Sequence, residues 1–135
     1  MYFLFDDRTQ RYYPRTPPDV IGNRIFGCDD CQLVCPWNRD AAQTQLNDFA
    51  PRHDLDASTL IELFQWNESE FDRKTAGSPI RRIGYECWLR NLAIALGNAP
   101  TSKPVTNALR FRLAHPSALV REHTAWALQR HGALD

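Results

Sequence analysis

The residues best suited to chemistry are the thiols of Gly27-Cys28-Asp29-Asp30-Cys31-Gln32-Leu33-Val34-Cys35-Pro36, spaced C-x2-C-x3-C-P. Thiolates are soft anionic ligands that suit iron–sulfur clusters and zinc, and close spacing lets one short loop deliver several of them. The bacterial [4Fe-4S] run reads C-x2-C-x2-C-x3-C-P, and its last cysteine binds the second cluster of a pair. The sequence carries the last three of those four cysteines, with Ile25 where the first would fall. Cys28, Cys31 and Cys35 are therefore the expected metal ligands, and Pro36 steers the last of them towards a second cluster. Three thiols cannot complete one four-ligand cluster, still less two. The missing ligands are expected from another segment, another chain, or a part upstream.

Other readings of the same thiols have weaker support. A zinc site could add His53 to the three cysteines, but the chain has no second C-x2-C and no H-x3-5-H pair. A redox pair at Cys28 and Cys31 lacks the strand-then-helix context of such chemistry. Cys87 falls on the apolar side of a helix and reads as a small buried hydrophobe.

The elements that position this loop divide the chain into three regions. Residues 1–20 contain Pro14, Pro17 and Pro18 without a sustained period, and read as a divergent extension of turns and extended chain. Residues 21–55 hold three of the four cysteines and a short candidate helix around Arg39–Asn47, a partial ferredoxin-like segment. From residue 56 to 135 the pattern is helical. Asp56 is the expected cap of a helix through Leu60, Ile61, Leu63 and Phe64, and Asn67 with Glu70 resembles a capping box for a helix ending near Gly77. Ser78 and Pro79 open a helix to about Leu96, with one apolar stripe and Gly97 as its left-handed terminus. Pro104 opens another, stopped by Pro116. Ser117 caps the last, which ends at Gly132.

Ala93-Ile94-Ala95-Leu96 and Ala125-Trp126-Ala127-Leu128 share A-x-A-L at an offset of 32 residues. An interval of about 30–45 residues is what stacked antiparallel helix pairs show. The expected fold is mainly α: a partial ferredoxin-like iron–sulfur loop followed by antiparallel helical repeats of the HEAT type.

Across 135 residues, 16 Lys and Arg balance 16 Asp and Glu, which taken as a sum argues against nucleic acid. The placement of the charges along the chain argues the opposite. Residues 1–72 carry thirteen acids and six bases, whereas residues 73–131 carry ten bases and two acids. Such asymmetry points to nucleic acid or another acidic partner. Arg81, Arg82, Arg90, Arg110, Arg112 and Arg121 are the expected phosphate-binding residues on one face of the repeats. His115, His123 and His131 would add charge below neutral pH. With 43% hydrophobic residues and no apolar run near 18, the chain reads as globular and without a membrane-spanning helix. Met1-Tyr2-Phe3-Leu4-Phe5, followed by Asp6 and Asp7, lacks the pattern of a signal peptide, so a cytoplasmic protein is expected.

The stretch from Ile21 to Asn38 resembles the second cluster-binding segment of epoxyqueuosine reductases. The likeness continues through Phe49-Ala50-Pro51-Arg52-His53, Ser78-Pro79-Ile80-Arg81-Arg82, Asn98-Ala99-Pro100, His115-Pro116-Ser117 and Val120-Arg121-Glu122-His123. The resemblance implies an oxidoreductase that uses two [4Fe-4S] clusters and cobalamin to remove the epoxide oxygen of epoxyqueuosine in tRNA anticodons. It implies that Cys28 and Cys31 ligate one cluster, that Cys35 completes the other, and that Cys28 and Asp29 lie against the corrin. It implies tRNA as the partner of the HEAT-like repeats. The family's catalytic domain and first four-cysteine run would lie upstream of Met1, so no catalytic residue is assigned here. The chain then reads as a C-terminal portion, inactive alone, whose other half could be a separate chain. The alternative is a non-enzymatic helical adaptor for RNA or protein with a vestigial or zinc-bound loop.

Overall fold

The computed structural model describes residues 18–27, 29–42, 44–53 and 55–134. Of residues 1–20, read as turns and extended chain, residues 1–17 lie outside the described residues, and Pro18–Val20 are instead helical. Seven α-helices occur among the described residues: α1 Pro18–Ile21, α2 Asp30–Leu33, α3 Leu60–Gln65, α4 Glu68–Lys74, α5 Tyr85–Gly97, α6 Lys103–Arg112 and α7 Ala118–Arg130. Short 3-10 turns occupy Pro36–Asn38, Asn47–Phe49 and Pro79–Ile83. No strand is present among the described residues, and none of the described helices is long and apolar enough to cross a membrane. The chain is mainly α, as its periodicity predicts.

Local chemistry sets the helix ends. The Asn67–Glu70 capping box forms as expected, with Glu70 N–H donating to Asn67 Oδ1 at 2.9 Å and Asn67 N–H to Glu70 Oε2 at 2.9 Å. The cap of α3 is Thr59, in a second capping box with Glu62, and not Asp56. Thr59 lies directly before the first buried turn, where its hydroxyl reaches the N3 amide. The candidate helix at Arg39–Asn47 does not form among the described residues of that segment, where the Asn47–Phe49 turn begins. The helix opened by Ser78 and Pro79 is broken in two. Its first turn is 3-10, and Gly84 at φ 76° separates it from α5.

Gly97 corrects a second expectation. It sits inside α5, and a Cβ there would lie 2.6 Å from Trp126 Cζ3 and 3.0 Å from Ala127 Cα. Its role is close approach to α7, not a left-handed stop. Gly132 does take the left-handed terminal position, at φ 62°, after α7. Ala133 N–H donates to Leu128 O and Gly132 N–H to Gln129 O, a Schellman pair that satisfies two terminal carbonyls.

The two A-x-A-L helices stack in parallel. Ser117 Oγ donates to Glu86 Oε2 at 2.8 Å where α5 and α7 begin, and His131 Nε2 meets Leu96 O at 2.9 Å where they end. α6 connects the end of α5 to the start of α7 and packs mainly on α7. Ala93, Ala95, Ala127, Leu96 and Leu128 are all buried, small residues permitting the approach and leucines filling the seam. α5 is the centre of the core, with every residue from Cys87 to Gly97 buried, so it has no polar outer side and the single-stripe expectation is too narrow. Trp66 stacks on Trp88 at 5.8 Å between ring centroids, and Phe71 packs against Trp88 and Tyr85 at 5.8 and 5.9 Å. Cys87 is buried within this core, as its place in the apolar pattern implies.

Candidate cysteine loop and basic face

The cysteine loop is hung from α5 by side-chain amides. Asn98 Nδ2 donates to the carbonyls of Pro18 and Gly22 at 2.8 and 3.0 Å, and Asn91 Nδ2 donates to Ile25 O at 2.8 Å. Asn91 Oδ1 accepts from Arg90 Nε at 3.0 Å, so a buried polar row on α5 grips the backbone leading to the loop. Ile21 is buried on the same side and anchors α1. Arg24 then bridges forward to Asp30 at 3.0 Å.

Beyond Gly27, at φ 66°, lies Cys28, which is outside the described residues. Asp29 adopts φ 52°, the left-handed region that non-glycine residues seldom enter. Its carbonyl receives the N–H groups of Gln32 and Leu33, closing the single turn of α2. Cys31 is exposed on that turn, and Cys35, partly exposed, precedes the Pro36–Asn38 turn. Asn38 Nδ2 holds the turn shut through Gln32 O and Gln32 Oε1 at 3.0 and 2.9 Å. Leu33, Val34 and Trp37 beside these thiols are 79, 78 and 88% exposed.

Two surface thiols that are in no disulfide, on one tight turn, suit part of a cluster's ligand set. No group of three or more His, Cys, Asp or Glu that could hold a metal comes together among the described residues. The described thiols fit an iron–sulfur cluster only as contributors.

The arginines divide into distinct groups. Arg81 and Arg82 are exposed on the 3-10 turn before α5, with Arg81 Nε 3.4 Å from Asp72. Arg110 and Arg121 are exposed; Arg110 donates to Ala133 O at 3.2 Å, and Arg121 to His115 O and Pro116 O at 2.7 Å each. Arg112 is partly buried and donates to Phe64 O and Trp66 O at 2.8 and 2.9 Å, fixing the end of α3 to α6. Arg90 is wholly buried in α5, which removes it from the expected phosphate-binding face. Its position on a helix buried on every side explains why a charge count misplaces it. Arg52, from the acidic half, reaches Gly77 in the turn before Ser78, a neighbour that no charge pattern along the chain shows.

His115 and His123 are less cationic than expected. Burial, aided by the Arg112 charge, holds His115 below its usual value of 6.5, against a smaller opposing pull from Glu86. Burial also lowers His123, which contacts Leu119 O through Nδ1 at 2.9 Å. Burial raises Tyr85, whose hydroxyl donates to Trp66 O at 2.6 Å.

Fold and site together define a mainly α-helical protein with a thiol-bearing loop fastened to its central helix. Sequence comparison carries this further. The chain is 64% identical over 113 residues to an epoxyqueuosine reductase of Pseudomonas aeruginosa, covering 84% of this chain and 31% of that protein. It is 62% identical over 112 residues to one from Xanthomonas campestris and 56% identical over 110 residues to that of Escherichia coli K12, covering 83 and 81% of this chain. The chain belongs to the epoxyqueuosine reductase family, and it spans about a third of the length of the curated relatives it matches. A match of 113 residues within 135 necessarily includes Cys28, Cys31 and Cys35. No family model matches the chain, and no solved structure matches it.

Proposed function

We propose that this chain is the C-terminal portion of a cytoplasmic epoxyqueuosine reductase, supplying tRNA contacts and part of the ligand set for its [4Fe-4S] clusters. The observation that carries this reading is the 64% identity across a stretch that includes the cysteine loop. Cys28 and Cys31 would hold one cluster and Cys35 the other, with Cys28 and Asp29 bordering cobalamin. Clusters and cobalamin, when bound, would supply the reducing electrons for removal of the epoxide oxygen. Asn91 and Asn98 keep the loop in register with the repeats by fastening the backbone of residues 18–25 to α5. Arg81, Arg82, Arg110 and Arg121 present exposed guanidinium groups to a phosphate backbone, which positions RNA without reading its sequence. The repeats are of the HEAT type in this reading, and residues 21–55 are a partial ferredoxin-like segment.

The remaining cluster ligands, the catalytic domain and its general acid belong to the other two thirds of the relatives, present as a longer chain or a separate one. Anaerobic purification of this chain with iron and acid-labile sulfide analysis tests the assignment. The expected result is iron with sulfide, below the content of two complete clusters, and no conversion of epoxyqueuosine-tRNA. Zinc in place of iron, with no gain of iron when the missing portion is supplied, overturns it in favour of an adaptor.

A further inference from the structure

α6 turns Val105, Thr106 and Leu109 towards the core. Phe111 follows Leu109 by two residues, about 200° around the helix, and therefore points outward. Its ring is 78% exposed, and among the described residues from Leu55 onward only Leu134 is another large apolar side chain so placed. A single exposed apolar residue is ordinary by itself. The surroundings of this one are not. Arg112 Cζ lies 5.8 Å from the Phe111 ring centroid, and that guanidinium is held by the carbonyls of Phe64 and Trp66. A fixed cation therefore attends the ring, whose remaining surface is open to solvent. Arg110 is exposed beside it, and no acid occurs between Glu86 and Glu122.

We infer that Phe111 is a stacking platform for an unpaired RNA base, with Arg110 taking the adjoining phosphate and Arg112 supporting the ring. An aromatic face flanked by two arginines is the chemistry that holds single-stranded nucleic acid, because every base offers a π-face and every linkage a negative charge. A protein partner docking on one ring would not need the two flanking cations. The inference rests on the proposed RNA contact and deepens it, by requiring bases that are free to unstack.

The test uses the full chain and two RNA probes, a stem–loop with an unpaired loop and a fully paired duplex of equal length. Affinity is measured by fluorescence anisotropy over a range of salt. Phe111→Ala is expected to weaken stem–loop binding about 5- to 150-fold, with duplex binding and the salt slope unchanged. Phe111→Trp should restore binding, whereas Arg110→Gln should lower the salt slope by about 1 on either RNA. Unchanged thermal melting of Phe111→Ala excludes misfolding. If wild type binds both RNAs and Phe111→Ala binds the stem–loop equally well, the stacking inference falls and the RNA reading stands. Failure of wild type to bind either RNA at low salt overturns both. Loss of self-association in sedimentation, with RNA affinity intact, makes the ring a protein contact and also overturns the inference.

Discussion

The side-chain amide of Asn91 donates a 2.8 Å hydrogen bond to the carbonyl of Ile25, 66 residues earlier in the chain. This bond joins the most buried helix to the backbone three residues before the first cysteine of the loop. Buried polar side chains are costly unless paired, and here the pairing locates a segment that buries little apolar surface of its own.

Asn91→Leu keeps the volume and removes both hydrogen bonds, leaving the Ile25 carbonyl unsatisfied and depriving Arg90 Nε of its acceptor. A loss of about 1–3 kcal/mol in urea unfolding is expected. Tryptic cleavage at Arg24 should quicken by more than global stability explains, because the loop is released before the helices. Equal protection in variant and wild type would show that the amide does not hold the loop.

Gly97→Ala tests the α5–α7 stack. In an exposed helix this change stabilises by about 1 kcal/mol. Here the new Cβ would meet Trp126 Cζ3 at 2.6 Å, so a loss of about 1–3 kcal/mol is expected. Thermal melting decides the sign, and a gain would refute the close approach.

The α4 cap can be isolated from the core. Asn67→Ala removes the acceptor for Glu70 N–H and should cost about 1 kcal/mol. Asp56→Ala should be neutral to unfolding, since α3 is capped by Thr59. A larger effect at Asp56 than at Asn67 would contradict this assignment.

Acid should destabilise the repeats through histidine. His115 and His123 are both held below 6.5, so the folded state resists their protonation. Their contribution is therefore fully present above 6.5 and is lost as pH falls through the lowered folded values. Melting temperature followed from about pH 8 to about pH 5 should decline below 6.5. His123→Gln should flatten the curve; an unaltered slope would assign the acid sensitivity elsewhere.

The local code was legible where one side chain and its near neighbours decide the outcome. Asn67–Glu70, the helical stretch from Leu60 onward, the Gly132 terminus and the A-x-A-L repeat were all readable, because capping, periodicity and left-handed backbone act over a few residues. The described residues of 39–47 are exposed, without the buried face that stabilises a short helix, and they are not helical. Gly84 divided what periodicity joined. The thiol spacing and the family likeness were visible in the residues alone, since spacing is a property of the chain.

Sequence by itself determined the cysteine loop, the mainly helical fold, the acidic and basic halves, and the family. Only the tertiary structure decided which charges face water. Arg90 and Arg112 look like Arg82 in a charge count, yet one lies inside α5's packed surroundings and one ties α3 to α6. A charge is free for an external partner only where packing leaves it solvated, and packing is settled between elements distant along the chain. The same reason brings Asn91 to Ile25 and Gly97 to Trp126, contacts that no local pattern encodes.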